Sequence, residues 1–145
     1  MEFKVLAPLG ERYKDVNNFS VVIRIDFGES SFLMTGDAEA DSEAEMVKLY
    51  TAADLDCDVL KVGHHGSGTS STRAFLDLVT PEAALISCGK DNKYGHPHND
   101  VMIRLNNFAA GKIFVTSDIG DIVVVTDGEV IKKGDAVLVD ESKNG

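Results

Sequence analysis

The stretch Asp58-Val59-Leu60-Lys61-Val62-Gly63-His64-His65-Gly66-Ser67-Gly68 decides the fold of this 145-residue chain. Its first five residues, which include the apolar Val59, Leu60 and Val62, are typical of a short strand, and the next six form a loop rich in glycine and polar groups. Ser70 or Ser71 can cap a following helix that runs to about Val79, where Pro81 stops it. A strand, a polar loop and a helix in this order are one unit of an α/β fold.

The same alternation extends on both sides of this unit. Downstream, a strand over 83–87 and a polar loop over 89–98 precede a helix that begins at Asn99 or Asp100 and runs to about residue 109. Upstream, strands over 19–27 and 31–35 form a hairpin, and a helix over 42–50 follows. Further strand candidates span 3–6, 112–116, 121–126, 129–131 and 136–139. The order predicts an α/β domain over residues 1–139, with a mixed sheet, flanking helices and a disordered tail over 140–145.

Composition narrows the class of protein. The net charge is −10, so a DNA-binding role requires positive charge from a metal ion or from another domain. Much of the acid lies between Asp37 and Glu45, where a solvated helix start is the simplest interpretation. No apolar run reaches the ~18–20 residues that span a bilayer, so we expect the chain as given to be soluble. Cys57 and Cys88 lack CxxC spacing and are expected to be buried free thiols.

All four histidines and one aspartate follow the ends of predicted strands. Asp37 follows the hairpin, His64 and His65 follow the central strand, and His96 and His98 follow the next strand. Because the carboxyl ends of parallel strands meet at one edge of a sheet, we expect these side chains to converge on one rim. Histidine and aspartate are ligands suited to Zn²⁺ or Mn²⁺.

Each polar residue also has a purely structural interpretation. Asp37 alone is consistent with a routine turn aspartate, and a single loop histidine usually binds nothing. Asp118 and Asp121 are interpreted as a simple turn, and Cys88 as a packing residue. Lys61 points either along its strand toward the rim or into a packing layer. The convergence of three segments favours a functional site over these separate explanations.

Three motifs in order carry a family resemblance. They are Thr35-Gly36-Asp37-Ala38-Glu39, the stretch from Asp58 to Ser67, and Ile86-Ser87-Cys88-Gly89-Lys90-Asp91-Asn92-Lys93-Tyr94-Gly95-His96-Pro97. Together with Asn17-Asn18-Phe19-Ser20-Val21-Val22, they closely resemble the metallo-β-lactamase-like domain of the ComEC-type DNA-internalisation competence proteins. The resemblance covers about residues 3–131 and implies the C-terminal half of an αββα sandwich.

The resemblance also implies roles for individual residues. Asp37 is expected to bridge two metal ions. One histidine of the His64-His65 pair is a metal ligand, with His65 preferred. His64 then faces the substrate as a catalytic residue that stabilises developing phosphate charge. His96 is expected to be the last ligand histidine, while His98 supports the site or lies on the surface.

The main metal-binding motif of the family, His-x-His-x-Asp-His, does not occur in this sequence, whose first histidine is His64. Three ligands cannot complete two metal spheres, so we expect a partial domain. The complete protein is then a binuclear Zn or Mn hydrolase, a nuclease or phosphodiesterase linked to DNA uptake. The chain alone is expected to bind metal weakly or not at all and to be inactive. The alternatives are a non-catalytic structural or interaction module and an ordinary acidic α/β domain with incidental histidines.

The expected partners follow from the same interpretation. The missing N-terminal half of the domain is the first, and DNA is a partner of the parent protein. A sheet face left uncovered is apolar and favours a homo-oligomer. The parent is expected to be a bacterial membrane protein with this domain outside the bilayer, and otherwise a cytoplasmic one. We expect no membrane contact by this chain itself.

Overall fold

The computed structural model describes residues 1–140 and residue 142. The strands are β1 (Glu2–Ala7), β2 (Val22–Phe27), β3 (Ser30–Met34), β4 (Val59–Lys61), β5 (Ala83–Ile86), β6 (Ile113–Val115), β7 (Val124–Thr126), β8 (Val130–Lys133) and β9 (Ala136–Asp140). The helices are α1 (Ala40–Leu49), α2 (Ala52–Leu55), α3 (Arg73–Val79), α4 (Asn99–Asn106) and α5 (Thr116–Ile119). Two 3-10 turns span Val16–Phe19 and Gly63–Gly66.

The main sheet has six strands in sequence order from β1 to β6. Its first three strands are antiparallel, and β3 to β6 run parallel, which confirms the predicted mixed sheet. The register aligns Leu33 with Leu60 and Leu60 with Ala84, so these side chains share one face. They are fully buried in a core that also contains residues of α1, α3 and α4. Burying a leucine side chain stabilises a fold by about 1.5–3 kcal/mol, so this face anchors the helices.

The opposite face of the sheet is partly covered by a second sheet of three antiparallel strands, β7 to β9. Phe32, Val59 and Phe114 of the main sheet pack there against Ile131 and Leu138. A hydrogen bond of 2.6 Å between the Ser30 and Thr126 hydroxyls also joins the two sheets. The resulting layers are helices, a mixed sheet and a smaller sheet, consistent with a metallo-β-lactamase fold.

Part of this face, on β1 and at the Met34 end of β3, is not covered by the described residues. Phe3 is 61% exposed, Val5 66% and Met34 42%. The strand order also leaves one edge of β1 without a neighbouring strand in the described part of the chain. The uncovered apolar surface is therefore narrower than the whole inner face that the sequence led us to expect.

Several predicted bounds need correction. The strand expected from Phe19 begins only at Val22, because the Asp15 carboxylate accepts the Asn17 N–H at 3.0 Å and starts a 3-10 turn. Asp118 lies in the short helix α5 rather than in a simple turn.

The remaining differences concern burial and the chain end. Cys57 is buried as expected, but Cys88 is only half-buried. Asp140 is the last residue of β9, and the rest of the expected tail, apart from Ser142, lies outside the described residues. In the part of the chain that the structure describes, no helix combines the length and apolar character that a bilayer crossing requires.

Candidate metal centre

The predicted rim residues do come together at the carboxyl ends of the parallel strands. Asp37 follows β3, His64 and His65 lie in the turn after β4, and His96 and His98 lie between β5 and α4. The ring centroids of His64 and His96 are 5.7 Å apart, and those of His65 and His96 are 6.4 Å apart. The strand-end argument therefore located this cluster correctly.

The histidine turn has an unusual backbone. His64 has φ 45° and His65 has φ 56°, so two consecutive non-glycine residues are left-handed, at a cost of about 1–2 kcal/mol each. Neighbouring loops hold the turn in place. The His64 N–H donates to the Gly36 carbonyl at 3.0 Å, and the His98 N–H donates to the Gly66 carbonyl at 2.9 Å.

Gly66 is required by close contact as well as by its backbone. Its φ is +80°, and a Cβ there would lie 2.7 Å from the Cβ of Pro97. Only glycine lets the histidine turn approach the loop that carries His96 this closely. The left-handed backbone of the turn is energetically unfavourable, and it places the histidines against the loop that carries His96. Strained backbone of this kind occurs often at functional sites.

His65 is oriented as a metal ligand would be. Its Nδ1 lies 2.6 Å from the Ser87 carbonyl, and its Nε2 lies 3.4 Å from Oδ1 of Asp37. A carbonyl only accepts hydrogen bonds, so Nδ1 carries a proton, and in the neutral imidazole Nε2 is the nitrogen with the lone pair, on the side of the carboxylate. Histidines that bind a metal through one ring nitrogen usually donate the N–H of the other nitrogen to a carbonyl or carboxylate, as His65 does here.

His64 has a different partner, which the sequence analysis did not single out. Its Nδ1 lies 2.9 Å from Oε1 of Glu39, and the Thr69 hydroxyl donates to the same oxygen at 2.8 Å. The side chains of His64 and Glu39 are only 22% and 13% exposed, so this pair is better shielded than His65 and Asp37. The sequence signal for Glu39 was its place at the end of the motif Thr35-Gly36-Asp37-Ala38-Glu39, two residues after Asp37.

His96 and His98 are also distinguishable. Nδ1 of His98 accepts the Gly68 N–H at 2.8 Å, and its Nε2 donates to the Tyr94 carbonyl at 3.0 Å. Both nitrogens of His98 are therefore used within the loops, in line with a supporting role. Burial lowers the pKa of His96, and the nearby His98, His64 and His65 lower it further. This shift favours the neutral imidazole, which is the form that binds metals.

Lys61 lies below the rim. Its register partners are Met34 and Leu85, and its Nζ donates to the Val62 carbonyl at 2.8 Å. Burial lowers the pKa of Lys61, while the charge of Asp37 raises it. Lys61 thus lies on the same face of the sheet as Met34 and Leu85, close enough to Asp37 to feel its charge.

The donor set fits part of a metal sphere. Asp37 and His65 present an oxygen and a nitrogen toward each other, and the ring of His96, a further donor of the right chemistry, stacks on His65 at 6.4 Å. Within residues 1–140 and residue 142, no group of three or more His, Cys, Asp or Glu side chains is arranged to hold a metal ion. A four-coordinate site built here needs donors beyond those that converge in this structure.

The fold and this rim define the class of protein. The family model described as "Metallo-beta-lactamase superfamily" matches residues 3–90, and the chain belongs to that superfamily, which is generally metal-dependent. The expected resemblance to competence proteins is confirmed by three relatives. The chain is 39% identical over 102 residues to ComE operon protein 3 of Bacillus subtilis, 40% over 108 residues to Recombination protein 2 of Haemophilus influenzae, and 39% over 105 residues to Competence protein ComA of Neisseria gonorrhoeae.

These alignments cover 70%, 74% and 72% of this chain. They cover only 13%, 13% and 15% of the respective relatives. The chain therefore corresponds to a small part of each of these longer proteins. No solved structure matches the chain significantly.

Proposed function

We propose that this chain contributes one side of a metal-dependent phosphodiesterase site in a protein that acts on DNA during its uptake. The observation that carries the proposal is the pairing of His65 Nε2 with Asp37 Oδ1 at 3.4 Å, with His65 Nδ1 fixed by the Ser87 carbonyl. The similarity to competence proteins supports DNA as the substrate.

Asp37, His65 and His96 would hold the metal. A divalent Zn or Mn ion bound there supplies Lewis-acid polarisation of a phosphodiester. It also supplies positive charge, which a chain of net charge −10 otherwise lacks for binding DNA. Three protein ligands leave the metal sphere incomplete, so the isolated chain should bind metal weakly and hydrolyse little. The remaining ligands would come from a partner segment that carries His-x-His-x-Asp-His.

His64 would act on the substrate rather than on the metal. Glu39 holds its Nδ1 at 2.9 Å, so the ring is fixed and its Nε2 is left available. With the ring held in this way, an N–H at Nε2 can donate to a phosphate oxygen. This division of roles makes His65 the ligand and His64 the catalytic histidine.

Calorimetric titration of the chain with MnCl₂ and with ZnCl₂ tests the ligand assignment. Asp37→Ala and His65→Ala should each weaken binding at least about tenfold. Asp135→Ala is the matched control, because this exposed aspartate lies in the turn between β8 and β9. Equal affinities for the wild-type chain and both site variants would show that the assigned residues do not bind the metal.

A complementation assay tests the catalytic part of the proposal. The chain is mixed with a segment of a competence relative that carries His-x-His-x-Asp-His, and hydrolysis of a single-stranded oligonucleotide is followed with manganese or zinc. Activity that requires both pieces and is lost in the His64→Ala chain supports a phosphodiesterase. A stable complex that binds metal but hydrolyses nothing would favour the alternative of a non-catalytic module.

A further inference from the structure

The loop over residues 89–98 exposes an aromatic ring next to the candidate metal centre. Tyr94 is 63% exposed, and its ring stacks on His96 with centroids 5.6 Å apart and planes 20° from parallel. His96 in turn stacks on His65 at 6.4 Å and 18°. Three nearly parallel rings therefore lead from solvent to the Asp37–His65 pair.

This loop is braced by its own hydrogen bonds. The Asn92 amide donates to the carbonyls of Gly89 and His96 at 2.9 and 2.7 Å, and its oxygen accepts the His96 N–H at 2.9 Å. The Tyr94 carbonyl accepts from His98 at 3.0 Å. A braced loop that holds a large ring in solvent gains little apolar burial from that ring. A role in recognition accounts for the arrangement.

A cavity of about 210 Å³ opens beside the rings. It is lined by His65, Cys88, Gly89, Asn92, Tyr94 and His96. Ring faces, a thiol and an amide form its walls. A flat aromatic ligand suits such a space, and every nucleobase presents a face that can stack on tyrosine.

The same loop carries positive charge in an acidic protein. Lys90 and Lys93 against Asp91 give it a formal charge of 2 − 1 = +1, whereas the whole chain has −10. The Lys93 ammonium lies over the Tyr94 ring, 5.0 Å from its centroid, so a base that stacks there displaces this flexible side chain toward the neighbouring phosphate. An exposed aromatic ring with lysines beside it is the combination that binds single-stranded nucleic acid, because the ring stacks a base and the ammonium groups contact phosphates.

We propose that Tyr94 is a stacking platform for a base of single-stranded nucleic acid, and that Lys90 and Lys93 contact the adjacent phosphates. The inference deepens the proposed function and rests on it for the reaction that follows binding. It names the substrate form, since the bases of an intact duplex are stacked on one another and cannot lie on Tyr94. The stacked rings of Tyr94, His96 and His65 then lead the nucleic acid strand toward the Asp37–His65 pair.

Fluorescence anisotropy of the full chain with a labelled oligothymidylate of about 20 nucleotides, at low salt and in EDTA, tests this proposal. Tyr94→Ala should raise the Kd about 5- to 100-fold, whereas Tyr94→Phe should bind like the wild type because the phenyl ring still stacks. Lys93→Gln should weaken binding and reduce its salt dependence. A duplex of the same length should bind more weakly.

Leu49→Ala is the matched control for Tyr94→Ala. Leu49 is equally exposed, at 63%, but is the last residue of helix α1 and lies outside both the 89–98 loop and the apolar surface of β1. Its removal should leave the Kd unchanged. Circular dichroism of each variant checks that the fold is retained.

Three results would overturn the stacking platform: the same Kd for Tyr94→Ala and wild type, equal affinity for single strand and duplex, or no binding by the wild-type chain. Because EDTA removes divalent metal ions, the oligonucleotide binding is measured independently of metal binding. A chain that binds the oligonucleotide but whose metal affinity is unchanged by Asp37→Ala and His65→Ala refutes the metal centre alone. A chain that binds metal through Asp37 and His65, but whose Kd for the oligonucleotide is unchanged by Tyr94→Ala, refutes the stacking platform alone.

Discussion

Replacing Glu43 should loosen the segment that follows the histidine turn. The Glu43 carboxylate is 2% exposed and accepts the N–H groups of Ser71 and Thr72 at 2.6 and 2.8 Å. Ser71 has φ +54°, so the carboxylate also secures a left-handed residue. Arg104 lies near the same carboxylate and donates to the Ser71 carbonyl at 2.8 Å.

The magnitude follows from these contacts. Glu43→Ala leaves two N–H groups without their acceptor, at about 1–3 kcal/mol each. It also removes the charge that faces Arg104, so we expect a loss of about 3–5 kcal/mol in the free energy of unfolding. Glu43→Gln keeps one acceptor oxygen and should lose about 1–3 kcal/mol.

The pH dependence has a definite sign. Burial raises the pKa of Glu43 above its ordinary value of 4.5, against the opposing effect of the hydrogen bonds and of Arg104. A raised pKa in the folded state stabilises the protonated form, so that stability is complete below pH 4.5 and is lost as the pH rises through the folded pKa. Because glutamine does not titrate, the destabilisation by Glu43→Gln should be largest at low pH and shrink as the pH rises.

Urea unfolding followed by far-ultraviolet circular dichroism measures these differences, since the chain contains no tryptophan. The series runs from about pH 4 to about pH 7. Glu29→Gln is the control, because Glu29 is exposed in the turn between β2 and β3. A destabilisation by Glu43→Gln that grows with pH would refute the reasoning, because it would mean that hydrogen bonding outweighs burial.

Three further predictions concern thiols, association and the core. Burial raises the pKa of Cys57 far above its usual range, so a thiol reagent should modify half-buried Cys88 rapidly and Cys57 only on unfolding. The apolar surface around Phe3 and Val5 should drive self-association. Replacing both residues by lysine should lower the molar mass measured by light scattering. A wild-type chain that stays monomeric at high concentration would contradict this prediction. Leu60→Ala should cost about 2–5 kcal/mol in urea unfolding, because Leu60 is fully buried between sheet and helices.

The sequence predicted those parts of the structure that depend on residues close to one another along the chain. The strand around Leu60, the histidine loop after it and the helix that ends before Pro81 were all predicted, because apolar periodicity is a local signal. The cap of that helix was predicted wrongly, since Thr72 caps it rather than Ser70 or Ser71. Asp127-Gly128 likewise predicted the turn between β7 and β8. The cluster at the rim followed, since residues after parallel strands must share an edge.

Some local signals were present but not used. The helix α2 begins with a capping box in which Thr51 and Asp54 bond each other's backbone. Asn18 lies at the end of a polar segment, just before the predicted strand, and its side chain accepts the N–H groups of Glu39 and Ser42 at 3.1 and 3.0 Å and helps to cap α1. Such polar roles override strand propensity, and this is why the strand predicted from Phe19 starts later.

The sequence by itself determined which residue types reach the rim, because strand ends and glycine-rich loops can be recognised from near neighbours. Only the tertiary structure decided which nitrogen of each histidine is engaged. The Glu39–His64 and His65–Ser87 contacts join residues 25 and 22 positions apart, and the sheet of β7 to β9 covers strands that come much earlier in the chain. Contacts of this kind depend on how distant segments pack in space, and no periodicity along the chain encodes them.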